Sequence, residues 1–172
     1  KGLASKRQVE VVHGSAEFID ANTLQAGQTQ VAFENAIIAT GSEPIALPFM
    51  PDDPRVIDST GALELPRIDG KMLVIVGGII GCEMATVYQA FGMQVSIVEM
   101  MDQIMPGADA DLVKPCQKIL QERGVDIRLK SKVTAVKAAA KHLTVNLTLS
   151  DGKEVSENYD LVLVSVGRVP NS

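Results

Sequence analysis

Short apolar runs alternate with amphipathic stretches through the second half of the chain. Four runs have the composition of buried strands: KMLVIV from residue 71, QVSIVE from 94, VDIRL from 125 and YDLVLVSVG from 159. Between the first three runs, apolar residues recur at spacings of three or four, which predicts two helices. Because strands and helices alternate, the pattern predicts a parallel sheet with right-handed crossovers.

Each predicted helix has an apolar stripe and an end signal. The stripes consist of Ile80, Met84, Val87 and Phe91 in the first helix and of Leu112, Cys116 and Ile119 in the second. Gly92 and Gly124 follow the two stripes, where glycine commonly ends a helix. Pro115 fits the second helix if Asp111 is its N-cap, because the missing N–H then falls in the first turn.

Antiparallel strands are predicted on both sides of this region. KVTAVKA, LTVNLTL and EVSENYD follow the third run, and SDGK supplies a turn between the last two. Near the start of the chain, VEVVHGSAEFID, TLQA and TQVAFENAIIATG indicate a small meander with turns at Gly14, Asn22 and Gly27. We expect this meander to end in a buried strand from Ala36 to Thr40.

Residues 42–70 are rich in proline, which argues against a central strand and predicts a connector. Within it, DSTGALEL predicts one or two helical turns capped by Asp58 or Ser59. The predicted organisation is therefore a β-meander segment at 1–41, a connector at 42–70, an α/β domain at 71–168 and a short return segment at 169–172.

Composition narrows the function classes. The net charge of −5 argues against a nucleic-acid or anionic-membrane partner, because either would favour a basic face. No window approaches the roughly 18 uninterrupted apolar residues of a membrane span. The two cysteines, Cys82 and Cys116, do not form a disulfide framework, so we expect a cytoplasmic protein. The chain begins without Met and ends directly after an apolar run, and we interpret both ends as cuts inside a longer protein.

The stretch VIVGGIIGCEM, residues 74–84, resembles the G-x-G-x-x-G turn that binds a dinucleotide pyrophosphate at a helix N-terminus. Gly78 and Gly81 occupy the second and third glycine positions, and Val76 occupies the first. A β-branched residue does not take a positive φ cheaply, so Val76 puts the affinity for the dinucleotide in question. Gly77, next to it, offers backbone freedom that can compensate for the restricted φ of Val76.

Glu99 is the candidate for the acidic residue that binds the ribose in sites with such a turn. Glu99 ends the second predicted strand, 21 residues after Gly78, close to the spacing of about 20 expected for a ribose-binding acid. A carboxylate there accepts hydrogen bonds from the ribose hydroxyls and repels a 2′-phosphate. Met100 and Met101 follow without an adjacent Arg or Lys, so the sequence favours NAD over NADP.

Several motifs together resemble dihydrolipoamide dehydrogenases, which are flavin-dependent disulfide oxidoreductases. They are NAIIATGSEP, DSTGALEL, VIVGGIIGCEMATVYQAFG, VSIVEMMDQIMPGAD, SKVTAV and YDLVLVSVGRVPN, in this order and over most of the chain. The resemblance implies a Rossmann-like FAD/NAD(P)-binding α/β fold with a parallel sheet plus an antiparallel β-meander. Such enzymes have an FAD domain, an inserted NAD domain and a C-terminal dimerisation domain, and this chain matches the middle part.

The resemblance also implies site residues. For NAD they are Val76, Gly77, Gly78, Ile79, Ile80 and Gly81 in the turn, the acids Glu83 and Glu99, and Val133 and Gly167. For FAD they are Ala16, Thr40 and Gly41. It implies no catalytic residue and no metal ligand in this chain. Cys82 and Cys116 lie 34 residues apart and do not match the family's C-x-x-x-x-C redox pair, and His13 and His142 are expected at the surface.

The implied reaction passes electrons from dihydrolipoamide through a cysteine disulfide and FAD to NAD⁺. In that case the full-length protein is a homodimer associated with a 2-oxo acid dehydrogenase complex, and this chain alone is inactive. Two alternatives stay open. One is an NADP-dependent reductase acting on a disulfide or on mercuric ion, and the other is a non-catalytic domain in which Val76 has impaired cofactor binding.

Overall fold

The computed structural model describes residues 2–171, which fold as two compact units that divide between Thr40 and Gly41. The first unit contains helix α1 (Gly2–Lys6) and an antiparallel sheet in the order β1-β2-β3. Its strands are β1 (Ala16–Asp20), β2 (Thr23–Ala26) and β3 (Thr29–Ala32). The sheet confirms the predicted meander in these segments.

The strand expected from Ala36 to Thr40 is wrong. These residues form no strand, and the side chains of Ile37 and Ile38 are 94% and 67% exposed. Residues 9–15, which belong to the first predicted β-rich run, are also outside any strand. An apolar run indicates a tendency to be buried, but a strand also needs a neighbour for its backbone groups, and β1–β3 pair only with one another among the described residues.

A five-stranded parallel sheet forms the centre of the second unit, in the order β5-β12-β6-β7-β8. Its strands are β5 (Val56–Asp58), β6 (Lys71–Ile75), β7 (Gln94–Val98), β8 (Asp126–Arg128) and β12 (Leu161–Val164). Helix α2 (Ile79–Ala90) joins β6 to β7, and helix α3 (Ala110–Glu122) precedes β8. The predicted parallel sheet and fold class are confirmed.

The proline-rich segment is more structured than a connector. It supplies β5 at one edge of the parallel sheet and β4 (Ser42–Pro44), which pairs antiparallel with β13 (Arg168–Pro170). Both are short, and β5 is an edge strand, so they accommodate nearby prolines. A short 3₁₀ helix, Gly61–Glu64, follows, and the carboxylate of Asp58 accepts the N–H groups of Thr60 and Gly61 at 2.8 Å.

An antiparallel sheet of three strands covers one face of the parallel sheet. It has the order β11-β10-β9 and consists of β9 (Lys132–Ala138), β10 (Leu143–Thr148) and β11 (Glu154–Tyr159). Leu143, Val145 and Leu147 point to one side of β10 and are fully buried. They pack with Leu73 and Val162 of the parallel sheet, so this part of the core lies between the two sheets. Gly152, with φ +82°, lies in the predicted turn before β11.

The two helices cover the other face, and the predicted stripes are correct only in part, since Met84 and Cys116 pack against the core. Helix α2 buries Gly81, Cys82, Ala85 and Tyr88, while Phe91 is 52% exposed. Helix α3 buries Val113 and Leu120, one residue after the predicted Leu112 and Ile119. Small residues at 81 and 85 let α2 approach the sheet closely, and this contact fixes which face is buried.

The second helix also begins earlier than expected. Its N-cap is Asp109 and not Asp111, so Pro115 lies in the second turn and removes an internal hydrogen bond. Both helices end as predicted, because Gly92 and Gly124 have φ of +102° and +91°. No helix of residues 2–171 has the length and hydrophobicity needed to cross a membrane.

Candidate dinucleotide-binding site

The turn from β6 to α2 lies at the carboxyl edge of the parallel sheet. The strands on either side of β6, β7 and β12, end at the same edge, because all three strands run parallel. The turn therefore meets Glu99, which follows β7, and the segment Ser165–Gly167, which follows β12. In open α/β sheets, ligands bind at this edge.

Val76, the first residue of the turn, has a φ of +76°. This is the left-handed conformation that a glycine adopts freely and that a β-branched residue adopts only with strain, typically of about 1–3 kcal/mol. Two contacts hold it there. Its N–H donates to the carbonyl of Val98 at 3.0 Å, and its carbonyl lies 2.9 Å from the hydroxyl of Ser165.

The N–H and the carbonyl of Gly77 are both hydrogen-bonded. Its N–H donates to Oε2 of Glu99 at 2.9 Å, and its carbonyl accepts the N–H of Met105 at 2.7 Å. A Cβ at this position would stand 3.0 Å from side-chain carbons of both Ile97 and Ile104. Gly77 thus ties the turn to β7 and to the loop that follows it.

Gly78 and Gly81 differ in what surrounds them. Gly78 is the N-cap of α2, and a Cβ built on it would meet no atom within 4 Å. A Cβ on Gly81 would stand 2.3 Å from the carbonyl oxygen of Val76 and 2.9 Å from Oγ of Ser165. Gly81 therefore allows α2 to pack on the strand, and Gly78 leaves the helix N-terminus open to a phosphate group.

Glu99 is 3% exposed, and its carboxylate holds two backbone groups. Oε2 accepts the N–H of Gly77 and Oε1 accepts the N–H of Met101, each at 2.9 Å. The spacing of Glu99 from the glycines predicted that its carboxylate binds a ribose, but it did not predict these two hydrogen bonds. Each oxygen keeps one lone pair, so the acid has acceptor capacity left for a ligand.

Met100 and Met101 are 66% and 52% exposed beyond this acid. The sequence placed no basic residue next to them, but the fold brings two lysines close. Lys130 and Lys132 line a cavity of about 140 Å³ together with Met100, and the N–H of Lys130 donates to the carbonyl of Met101 at 2.9 Å. The absence of an adjacent Arg or Lys in sequence therefore does not keep lysines away from this position in the fold.

Other candidate residues lie around the same edge. Val133 is half-buried in β9, two residues after Ser131, whose N–H donates to the carbonyl of Glu99 at 3.0 Å. Gly167 has a φ of +112°, and its carbonyl accepts the N–H of Ile45. In the turn, Ile79 is 65% exposed and Ile80 is half-buried, while Glu83 is exposed on α2.

Arg168 follows Gly167 and was not among the site residues predicted from the sequence. Its guanidinium donates to the hydroxyls of Ser42 and Ser59 at 2.8 Å and to the carbonyl of Ser42. It therefore fastens β13 to β4 and to the end of β5. The motif GRVPN contained this arginine, but its partners lie more than a hundred residues away in sequence.

The candidate FAD residues fall on both sides of the division between the units. Ala16 begins β1 and is exposed, and Thr40 is the last residue of the first unit. Gly41 begins the second unit with a φ of +80°, and its carbonyl accepts the N–H of Asn171 at 3.0 Å.

Cys82 lies in the core, Cys116 is partly buried, and the two histidines lie at or near the surface. Both cysteines are free thiols. Burial raises the pKa of Cys82 to about 12, and its thiol contacts the carbonyl of Gly77 at 3.3 Å, which confirms it as a core residue. His13 is exposed and His142 is partly exposed, as expected for surface residues.

A larger cavity, of about 570 Å³, lies at the opposite edge of the sheet. Three of its charged side chains form one network with a tyrosine: Arg128 donates to Glu157 and to Asp126 at 2.8 Å, and the hydroxyl of Tyr159 donates to Glu157 at 2.8 Å. The hydrogen bond from Arg128 lowers the pKa of Glu157, and burial raises the pKa of Tyr159 to about 12. This network links β8 to β11 and does not contact the glycine turn.

A parallel sheet with an open, glycine-containing βα turn and a buried acid after the next strand is the architecture of the Rossmann-like FAD/NAD(P)-binding fold. The family model described as pyridine nucleotide-disulphide oxidoreductase matches residues 1–172, and the chain belongs to this family. The resemblance to dihydrolipoamide dehydrogenases is confirmed by relatives named dihydrolipoyl dehydrogenase.

Two curated relatives and one solved structure show the extent of the similarity. The chain is 47% identical to dihydrolipoyl dehydrogenase of Vibrio cholerae over 175 residues, covering 99% of this chain and 37% of that protein. It is also 47% identical to dihydrolipoyl dehydrogenase of Haemophilus influenzae over 178 residues, covering 99% and 36%. The HOCl-induced flavoprotein disulfide reductase RclA from Escherichia coli matches with a TM-score of 0.77 and 30% identity, covering 98% of this chain and 38% of that chain. The chain thus spans little more than a third of the relatives it matches.

Proposed function

We propose that this chain is the NAD-binding portion of a dihydrolipoamide dehydrogenase-like enzyme. The observation that carries the proposal is Gly78, which caps α2 and leaves the helix N-terminus open to an approaching pyrophosphate. In the full-length enzyme, electrons pass from a dihydrolipoamide dithiol through a cysteine disulfide and FAD to NAD⁺. The chain alone is expected to be inactive, because it lacks the C-x-x-x-x-C pair.

The residues of the chain bind and orient the dinucleotide. NAD supplies the hydride acceptor when it is bound. The N–H groups at the start of α2 hold the pyrophosphate along the turn from Val76 to Gly81, and the free lone pairs of Glu99 accept hydrogen bonds from the ribose hydroxyls. Val133 contacts the adenine. Gly167 lets the nicotinamide half pass close to the backbone, near Glu83.

Further parts of the proposal concern the rest of the enzyme. The segment 1–41 belongs to the FAD domain, with the Ala16 backbone near the FAD adenine and with Thr40 and Gly41 along the flavin nucleotide. The segments 42–70 and 169–172 connect it to the NAD domain at 71–168. The full-length protein is a homodimer that works with a 2-oxo acid dehydrogenase complex. The two free thiols of this chain fit a reducing compartment, and we assign the protein to the cytoplasm.

A second candidate function is supported by the two lysines beside Met100. An NADP-dependent disulfide or mercuric reductase needs cationic groups near the adenosine ribose, and Lys130 and Lys132 are exposed at this position. Against it, Glu99 places a carboxylate where a 2′-phosphate would bind. The balance between these charges decides the preferred nucleotide.

The test is a calorimetric titration of the chain with NADH and with NADPH. NAD use predicts tighter binding of NADH, weakened in Gly78→Ala and retained in Gly61→Ala, where an added Cβ has ordinary contacts of 3.6 Å. NADP use predicts the reverse preference, abolished by the double variant Lys130→Ala and Lys132→Ala. If neither nucleotide binds at millimolar concentration, the chain is a Rossmann domain with an impaired site, and the proposal fails.

A further inference from the structure

Val76 is held in an unfavourable conformation by a small number of identifiable contacts. Five non-glycine residues of the described chain have a positive φ, and Val76 is the only β-branched one among them. Such a conformation persists only where the surrounding structure enforces it. The contacts that enforce it are therefore part of the machinery that shapes the turn.

One of these contacts comes from a side chain. Ser165 is 7% exposed, and its Oγ lies 2.9 Å from the carbonyl oxygen of Val76 and 2.9 Å from that of Ile75. A hydroxyl has a single proton to donate. The carbonyl of Ile75 already accepts the backbone N–H of Ser165 at 3.1 Å, so the hydroxyl is the donor available to Val76.

The position of Ser165 couples this contact to the helix. A Cβ at Gly81 would approach both the carbonyl of Val76 and Oγ of Ser165, so these two groups lie together beneath the first turn of α2. On the other side, the N–H of Val76 is bonded to Val98. Val76 is thus fixed at its N–H by β7 and at its carbonyl by the segment after β12.

We propose that Ser165 is a positioning residue for the dinucleotide turn, whose hydroxyl holds the carbonyl of Val76 and so keeps a β-branched residue at the positive φ that the turn requires. The inference rests on the proposed function, because its effect on binding requires that the turn binds NADH. It gives Ser165 a role that depends on the residue at position 76. With glycine there, the same backbone conformation carries no strain and needs no side-chain anchor.

The dependence is tested by a double-mutant cycle with Ser165→Ala and Val76→Gly, singly and together. NADH dissociation constants and urea unfolding midpoints are measured for the four chains. We expect Ser165→Ala to weaken NADH binding at least fivefold with Val76 present and less than twofold in the Val76→Gly background, a coupling of at least about 0.5 kcal/mol. Ser165→Cys, which is slightly larger and a weaker hydrogen-bond donor, should give an intermediate loss with Val76.

A matched control separates this role from general destabilisation. Ser96→Ala removes a half-buried hydroxyl from β7, 3.5 Å from a carboxylate oxygen of Asp126 and outside the turn, and should have equal effects in both backgrounds. Equal losses for Ser165→Ala in both backgrounds, or no loss with Val76, would overturn the inference. The same holds if Ser165→Ala unfolds the chain in both backgrounds, whereas rescue of folding by Val76→Gly supports it.

The binding and stability readouts also distinguish the two proposals. If the Val76→Gly chain folds and binds no NADH, the proposed function fails. The coupling in urea unfolding still decides whether Ser165 supports the turn. If Val76→Gly binds NADH and the cycle shows no coupling in either readout, the function stands and the role of Ser165 is wrong.

Discussion

The carboxylate of Glu99 accepts the backbone N–H of Gly77 at 2.9 Å, across the gap between the ends of two adjacent strands. Its second oxygen accepts the N–H of Met101, also at 2.9 Å. One buried side chain therefore fixes the glycine turn and the start of the loop after β7, at the position where a ribose acid is expected. The shape of the turn and the acceptor for the ribose depend on the same residue.

Replacing Glu99 by alanine should damage both the fold and binding. Two N–H groups lose their acceptor, and leaving them without a partner should lower the free energy of unfolding by about 2–4 kcal/mol. Glu99→Gln keeps one acceptor oxygen and should lose about half as much. Urea unfolding measures the difference, with Glu154→Ala, an exposed position, as the control. An unchanged midpoint in Glu99→Ala would contradict the bonding seen here.

This prediction limits what the alanine variant can say about ribose binding. Loss of NADH binding in Glu99→Ala follows whether the ribose contact or the turn has been lost. Glu99→Gln separates the two effects better, because it keeps the side-chain length and removes the charge. A large loss of NADH affinity with a small loss of stability indicates a direct contact.

Substitution by alanine should lower the stability of the fold at Gly81 and leave it nearly unchanged at Gly78. Gly81→Ala puts a Cβ 2.3 Å from the carbonyl of Val76, so the helix must shift, and we expect a loss of about 1–3 kcal/mol in the free energy of unfolding. Gly78→Ala meets no atom within 4 Å, so stability should change by less than about 0.5 kcal/mol.

The readouts are urea unfolding and NADH titration on the same samples. Gly78→Ala should weaken binding despite normal stability, because its Cβ occupies the space that a phosphate needs. If Gly78→Ala binds NADH like the parent chain, the pyrophosphate does not lie at this helix N-terminus. If Gly81→Ala is as stable as the parent, the close packing of α2 on β6 is not needed.

The hydrophobic pattern predicted the parallel sheet because strands such as β6 and β12 are buried on both faces and are apolar almost throughout. The same pattern did not determine which face of each helix is buried. Leu112 and Val113 are adjacent and both apolar, as are Ile119 and Leu120, so spacing alone offers two stripes that differ by one position. Contact with the sheet selects the second stripe, and that contact is not readable from the sequence.

The candidate site shows the same limit. The glycine spacing and the acid after β7 are local signals, and they placed the turn and Glu99 correctly at one edge of the sheet. The hydrogen bond from Ser165 to Val76 joins residues 89 apart, and Lys130 reaches Met100 from a different strand connection. Such pairs depend on the strand order β12-β6-β7-β8, which follows from the completed fold.

Val76→Gly should raise NADH affinity about tenfold or more. Glycine takes the φ of +76° without strain and removes the branched side chain from the turn. Relief of about 1–3 kcal/mol of strain is offset by about 1 kcal/mol of added chain entropy, so the free energy of unfolding should rise by about 0–2 kcal/mol. Val76→Ala is the matched control. It keeps a Cβ at positive φ and should gain much less affinity, and equal gains would assign the effect to the β-branch and not to the backbone.

Acid should weaken the contact between β8 and β11. The hydrogen bond from Arg128 lowers the pKa of Glu157 from its ordinary value of 4.5, so the folded state favours the charged carboxylate. A group with a lowered folded-state pKa contributes stability above its unfolded pKa and loses it as the pH falls through the folded-state value. Asp53, whose pKa is lowered to about 2 by the hydrogen bond from Arg55, adds a loss of the same sign at lower pH.

Urea midpoints measured from pH 7 down to pH 3 test this expectation. The parent chain should lose stability below about pH 4.5, and Glu157→Gln should lose less over the same range, because it has no proton to gain. The difference between the two chains should therefore be largest above about pH 4.5 and shrink as the pH falls. Glu154→Gln, an exposed glutamate at the start of the same strand, should follow the parent curve. A slope for Glu157→Gln that equals that of the parent would mean that the Arg128–Glu157 pair does not contribute to the stability of the fold.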